Sequence, residues 1–563
     1  MTVSFEELET DVLVLGSGGA GLMAALYALD SDPKLRVTLA TKGLFGKSGC
    51  TRMVQGGYNV ALSPDDSTEG HFTDTMIGGH WINNEILART LVEDAPIVVR
   101  EMASKAGVRF LRDEHGNFHQ KGLAGQTFDR TVHHGDLTGI EIVSRLSEQV
   151  MARGTRILEE CRAVDLLVAD GEVHGAVLLP SRTGTFLVAR AGITILATGG
   201  SAPIFSISSA SLEKCGDGYA LAYRAGATLL DMEMSQFHPT GLIAPGSRLN
   251  GSVIAEELRA AGGRLYNARN ERFMERYDPL RIERATRDEV SRGCYFEIAQ
   301  GRGTENGGVW LDVSLLGATA VEALFPGMLE RCLMIGRDLR REPIEVCPTS
   351  HFHMGGVRID RDCRSEFPGL LVCGEDSGGV HGANRLGGNG VADSTVYGRR
   401  AGLCAANTVG ARRMTKVDPS SVIAGALAPW DRSDGEQPQR LHTEFRALMM
   451  RDVGVVRDAA SLRVAIAALD SMQERVSRVV VKGSRRYNLT WNAALDVRNA
   501  VTVGQMVARS ALLREESRGA HYRSDFPAED PAWTCNITVR REREEMRFAR
   551  EDVVREPARA AQV

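Results

Sequence analysis

The chain has 563 residues, 43% hydrophobic and 25% charged, with 67 Lys and Arg against 72 Asp and Glu for a net charge of -5. Those are the proportions of an ordinary globular protein, and the slight negative balance excludes a chain-wide nucleic-acid or polybasic membrane role. At roughly 150 residues per domain the length predicts about three to four domain-sized units, and no apolar run reaches the roughly eighteen residues of a membrane span.

The N-terminal stretch MTVSFEELETD lacks the basic and apolar regions of a signal peptide. Ten cysteines are scattered without a C-x-x-C pair, which fits neither a disulfide scaffold nor a zinc or iron–sulfur site. No metal is expected, and reduced thiols in a cytoplasmic protein are.

In chain order, the first clear element is Asp11 to Gly21, DVLVLGSGGAG. Val12 to Leu15 read as a buried parallel strand, Gly16, Gly18 and Gly21 form G-x-G-x-x-G, and LMAALYALD continues as a helix. The glycines serve a tight turn, a close approach of backbone to pyrophosphate, and helix-on-strand packing. The helix N-terminus offers free N–H groups to phosphate. This context predicts a dinucleotide site, with NAD and FAD both compatible. Arg36 to Ala40 reads as the second strand of a βαβ unit and ends in Thr41-Lys42, where an acid commonly binds ribose. Lys42 to Gly57 is a glycine-rich loop, read either as a surface connection or as backbone around a cofactor.

Residues 81–107 and 139–153 are predicted helical. Arg162 to Leu179 and Thr185 to Ala197 predict a hairpin-like sheet leading to a second nucleotide-contacting strand, ITILATGG. CGDG, Cys215 to Gly218, opens another helix. Residues 237–349, rich in Arg and Glu, predict a smaller inserted domain, after which Leu370 to Glu375 resumes the parallel sheet. Leu441 to Leu513 is mostly amphipathic helix, and the charge-dense tail from Arg540 is expected to be loosely held.

Four stretches resemble one family, the succinate dehydrogenase and fumarate reductase flavoprotein subunits with their relative L-aspartate oxidase. They are MEMSQFHPTG (Met232 to Gly241), AEELRAAGG with ATRDEVSR (Ala255 to Gly263, Ala285 to Arg292), PTSHFHMGGV (Pro348 to Val357) and GEDSGGVHGANRLGGNGVADS (Gly374 to Ser394). REESRGAHYRSDFP, Arg514 to Pro527, agrees. The resemblance implies an α/β fold: an FAD-binding Rossmann-like domain over 1–236 and 350–412, interrupted by an α+β capping domain over 237–349. A C-terminal helical domain over 413–540 and a charged tail over 541–563 follow.

It also implies hydride transfer between flavin N5 and one carbon of a four-carbon dicarboxylate, with a proton moving at the neighbouring carbon. Arg287 would be the proton donor, served by a relay of Glu256 and Arg259, whose E-x-x-R spacing puts them on one helix face. His238, His351 and Arg385 would hold the carboxylates, a planar guanidinium matching one bidentately. Gly16, Ser17, Gly18 and Ala20, with Thr41 and Lys42, would take the adenine and pyrophosphate half of FAD. Ser48, Gly49, Cys50, Thr51, Gly56 and Gly57 would line the flavin side, with Asp217 matching CGDG and Glu375 at the ribityl chain. Arg385, Asn389 and Val391 would bring backbone to the flavin O2 and N1 edge.

Three positions depart from the family pattern. Cys50 stands where respiratory enzymes carry a flavin-bonded histidine, so non-covalent FAD is expected. Ala255 replaces a threonine that would bond a substrate carboxylate, leaving Ser252 or His353 as replacement donors, and the loop before it is longer. Leu123 stands where aspartate oxidase reads the substrate amine, which disfavours an amino-acid substrate. His133 and His134 lie either near the cofactor or in a solvated loop. The expectation is an FAD-dependent oxidoreductase of the succinate/fumarate type, or alternatively one acting on aspartate or a substituted succinate. The expected partner is an iron–sulfur subunit or a soluble carrier, in the cytoplasm or at the inner face of a membrane through that subunit.

Overall fold

The computed structural model describes residues 4–557. Its centre is a seven-stranded sheet built around β1 (Phe5–Leu15). The first half of β1 has several exposed residues, while Val12, Leu13, Val14 and Leu15 are all buried, as a strand covered on both faces requires. β1 pairs in parallel with β2 (Val37–Ala40) on one side and with strand Phe186–Leu196 on the other. Arg156–Leu158 extends the sheet beyond β2, and the hairpin Cys161–Ala169 and Glu172–Pro180 extends it beyond Phe186–Leu196. Leu370–Val372 returns from far along the chain to pair in parallel with Phe186–Leu196. The sheet is therefore closed by a segment that lies beyond the insertion.

Helix α1 (Gly19–Ser31) packs against helix Asn389–Val409. Contact is close because Gly398 and Gly402 lack side chains: a Cβ at either would lie 2.4 Å from the carbonyl oxygens of Ala20 and Ala24, respectively. This brings the start of the second helix beside the glycine turn.

The insertion carries its own antiparallel sheet, in the order Ser235–Leu242, Ile344–His353, Val309–Asp312, Arg264–Tyr266. Leu258, Phe273, Val290, Leu311 and Val346 belong to an apolar cluster of its own. Three helices, Pro438–Asp452, Ala459–Val476 and Leu489–Leu513, form the C-terminal part, and Trp491 Nε1 donates to the Ala426 carbonyl at 2.8 Å. No described helix is long and apolar enough to cross a membrane.

The tail differs from expectation. Cys535–Glu542 and Glu545–Asp552 form an antiparallel hairpin, whose first strand pairs with Leu229–Leu230. Ile537 and Val539 are buried while the second strand is mostly exposed, so its charges face solvent from an ordered edge. Charge density marked the outward strand, and the partner that orders the hairpin lies some three hundred residues earlier. Residues 558–563 of the expected tail lie outside the described residues.

Candidate active site

A cleft of about 460 Å³ runs from the glycine turn of the central sheet to the base of the inserted domain. At its first end Gly16 has φ +116°, and a Cβ there would lie 2.0 Å from the Ala197 carbonyl oxygen, so only glycine can make this turn. Gly18 differs: a Cβ would meet only Thr51 Oγ1, at 3.5 Å, and that side of the backbone is open. Gly19 N donates to Thr51 Oγ1 at 3.0 Å, and Ser17 Oγ to Thr41 Oγ1 at 2.9 Å. The positive end of α1 thus faces the cleft with its first N–H groups.

Lys42 donates to Asp217 at 3.0 Å, to Asp496 at 2.6 Å and to the Glu213 carbonyl at 3.1 Å. The ligand atoms of Cys215, Asp217 and Asp496 lie within 4.8 Å of one another, but the Lys42 ammonium is the cation at their centre. Burial pushes Asp217 up, and the charges of Lys42 and Arg162 outweigh it, leaving the carboxyl well below its usual range. Further along, Glu375 pairs with Lys214 at 2.5 Å and accepts from His353 N at 3.0 Å. Cys50 Sγ accepts from Ser211 N at 3.3 Å.

The second end is built from both domains. His238 comes from strand Ser235–Leu242 and His351 from Ile344–His353, neighbours in the inserted sheet, with ring centroids 5.4 Å apart. Arg287 opens helix Arg287–Glu297, which Thr286 and Glu289 cap reciprocally. Its Nε donates to Glu256 Oε2 at 2.8 Å, and Glu256 Oε1 accepts from Ala124 N at 3.1 Å. Arg385 lies over the Phe352 ring, 4.4 Å from its centroid, with Nε lacking a partner among the described residues. Gln236 links the two arginines: its Oε1 accepts from Arg287 at 3.4 Å and from Arg385 at 3.2 Å. Gln236 was not among the residues expected here, although its place two residues before His238 on one strand, where i and i+2 share a face, was a usable signal.

Burial, reinforced by Arg287, pushes both His238 and His351 well below the ordinary imidazole value, so both are neutral. Thr240 N donates to His238 Nδ1 at 3.3 Å and Thr240 Oγ1 lies 3.2 Å from the same atom, while Nε2 is buried without a partner among the described residues. Burial and then the charge of Arg287 lower Arg385. Burial raises Glu256, but Arg287 and Arg259 outweigh it and keep it ionised.

Among the residues expected at the cofactor, substrate or proton, Asn389 and Arg259 do not line this cleft, and neither does His353, one of the two expected replacement donors. Asn389 opens its helix with its side chain turned into the protein, bonding Asn59 at 2.9 Å, His71 at 3.0 Å and Thr75 at 3.1 Å, while Gly388, Gly390 and Val391 line the cleft. Glu256 caps the short helix Glu257–Ala260 in helical conformation and feels the charge of Arg259, but the two side chains make no direct ion pair among the described residues. Arg259 instead donates to the Glu283 carbonyl, with Nε and Nη2 unpartnered among the described residues. Ser252, Ala255 and Leu123 line the cleft; His353, His133 and His134 do not. His133 Nε2 meets His119 Nδ1 at 2.9 Å instead. The open face of Gly18 at one end and the orphaned Nε of Arg385 and Nε2 of His238 at the other fit an extended dinucleotide carrying a flavin.

Residues 11–391 match the family described as FAD binding domain, and residues 442–562 that described as Fumarate reductase flavoprotein C-term. The chain is 44% identical over 543 residues to a fumarate reductase (CoM/CoB) subunit from Methanothermobacter marburgensis, covering 96% of this chain and 98% of that protein. It is 32% identical over 560 residues to L-aspartate oxidase of a Synechocystis species, covering 94% and 96%. Its fold matches that of an E. coli quinol fumarate reductase FrdA variant with a TM-score of 0.92 at 29% identity, covering 98% of each chain. The chain is an FAD-dependent oxidoreductase and belongs to the fumarate reductase and succinate dehydrogenase flavoprotein family.

Proposed function

We propose that the protein interconverts a saturated and an unsaturated dicarboxylate of the succinate/fumarate type, with Arg287 giving or taking the proton. One observation carries this reading: Arg287, Glu256, His238, His351 and Arg385 converge at the end of the cleft opposite the glycine turn. Bound FAD supplies the two-electron chemistry, exchanging a hydride with one alkene carbon. Gly16, Ser17, Gly18 and Ala20, which line the cleft at the start of α1, would hold its pyrophosphate, and Glu375 and the loop through Gly49 and Gly57 would hold the rest.

Arg385 presents its guanidinium to one carboxylate and is held by Gln236 Oε1, to which it donates at 3.2 Å. His238 and His351, neutral, donate without adding charge. A free guanidinium is a poor acid, so the proton step needs a partner, and Glu256 is the group in direct contact with Arg287. Arg259 acts behind Glu256 through its charge. FAD is held without a covalent bond, since Gly49-Cys50-Thr51 offers a cysteine where the respiratory enzymes carry a flavin-bonded histidine. Yellow colour remaining with an acid-precipitated pellet would overturn this.

Electrons reach or leave the flavin through a partner iron–sulfur subunit or a soluble carrier. A role as one component of a larger enzyme is supported by the relatives named as quinol fumarate reductase FrdA and as part of a CoM/CoB fumarate reductase. An amino-acid substrate is opposed by Leu123, which lines the cleft and leaves an ammonium unpaired. Anaerobic reoxidation of the reduced flavoprotein tests the reading: fumarate should restore the oxidised spectrum, and aspartate should not bleach the oxidised form. Bleaching by aspartate, with peroxide released in air, overturns it in favour of an amino-acid oxidase.

A further inference from the structure

Ala255 lines the cleft next to Glu256 and offers no side-chain donor. Three residues earlier, Ser252 lines the same cleft, and its buried hydroxyl has no hydrogen-bond partner among the described residues. The segment that carries it is stitched to the strand of His238. Leu242 N donates to the Ser252 carbonyl at 2.8 Å, Ile254 N to the Thr240 carbonyl at 2.9 Å, and Thr240 Oγ1 to the Ile254 carbonyl at 2.7 Å. On that strand His238 Nε2 is also buried without a partner among the described residues.

Two buried polar groups with nothing to bond cost stability until a ligand pairs them. A carboxylate, with two acceptor oxygens, pairs both. Arg248, on the same loop, lines the cleft as an exposed guanidinium and has no ion pair among the described residues, so an anion is drawn in along this side.

Resting on the dicarboxylate reading above, we propose that Ser252 binds a substrate carboxylate together with His238, supplying the donor that Ala255 lacks. The longer loop between Gly241 and Ala255 is then the element that sets dicarboxylate affinity in this protein.

The experiment uses the FAD-loaded protein with fumarate and an artificial electron donor. Ser252→Ala should raise KM for fumarate about 10- to 100-fold, the loss of one hydrogen bond to a charged acceptor, with kcat and FAD content nearly unchanged. Ala255→Thr placed in the Ser252→Ala background should recover most of the lost affinity. Ser252→Cys, close in size and a poor donor, should behave like Ser252→Ala and guards against a folding defect in that variant. An active wild type with KM within twofold in both single variants overturns the Ser252 assignment alone. A wild type that turns over no four-carbon dicarboxylate overturns the functional reading, and this assignment with it.

Discussion

Arg287 and Arg385 share one acceptor, Oε1 of Gln236, which holds two like charges in one site without giving either a countercharge. Among the described residues, Glu256 is the carboxylate that neutralises Arg287 directly. Arg287→Gln should lower kcat about 10²- to 10⁴-fold, the usual contribution of a positioned proton donor, while the bound-FAD spectrum persists. Gln236→Glu should raise KM for a dicarboxylate, because the new carboxylate faces the anion that Arg385 must bind. Both histidines already sit below their ordinary value of 6.5 through burial and the nearby arginines. KM should therefore stay level from about pH 6 to 8, where an unperturbed imidazole would titrate. An inflection in that window that vanishes in His238→Asn would contradict the neutral assignment.

The glycine turn and α1 separate two demands that the motif merges. Gly16 is required by the fold itself, since its φ of +116° and its contact with the Ala197 carbonyl leave no room for a side chain. Gly18 has ordinary dihedrals, φ -71° and ψ -177°, and open space beside it. Gly16→Ala should therefore fail to fold or melt far lower. Gly18→Ala should keep the melting temperature of the apoprotein and lose FAD affinity, because the added methyl occupies the side from which pyrophosphate approaches. Equal loss of apoprotein stability in both variants would refute this division.

Across the molecule, buried ion networks tie distant parts of the chain together. Arg514, fully buried just past helix Leu489–Leu513, pairs with Glu233 at 2.6 Å and Glu516 at 3.0 Å and donates to the Cys535 carbonyl at 3.0 Å. It joins the helical part, the root of the inserted sheet and the C-terminal hairpin. Arg514→Ala should cost about 3–5 kcal/mol in urea unfolding, because it leaves buried carboxylates uncompensated. Within the inserted domain, burial raises Glu297, but hydrogen bonds from Arg302, Asn267 and Tyr277 outweigh it and lower the carboxyl from 4.5 to about 2. An acid depressed on folding stabilises above its unfolded value and loses that contribution as pH falls through the folded one. The melting-temperature gap between wild type and Glu297→Gln should be full above about pH 4.5 and shrink toward about pH 2.

The order of amino acids was enough to locate the dinucleotide turn, the strand–helix succession around it and the motifs bearing His238, Arg287, His351 and Arg385. Each depends on local spacing and residue chemistry, which survive without tertiary context. Packing settled what depends on partners far along the chain. It turned Asn389 inward onto Asn59, His71 and Thr75, placed Gln236 between two arginines, and gave the Arg259 guanidinium the Glu283 carbonyl as its partner. It also ordered the charged tail against Leu229–Leu230. A residue's pattern states what a side chain can do, but which of several competent neighbours it meets is settled by contacts between segments hundreds of residues apart.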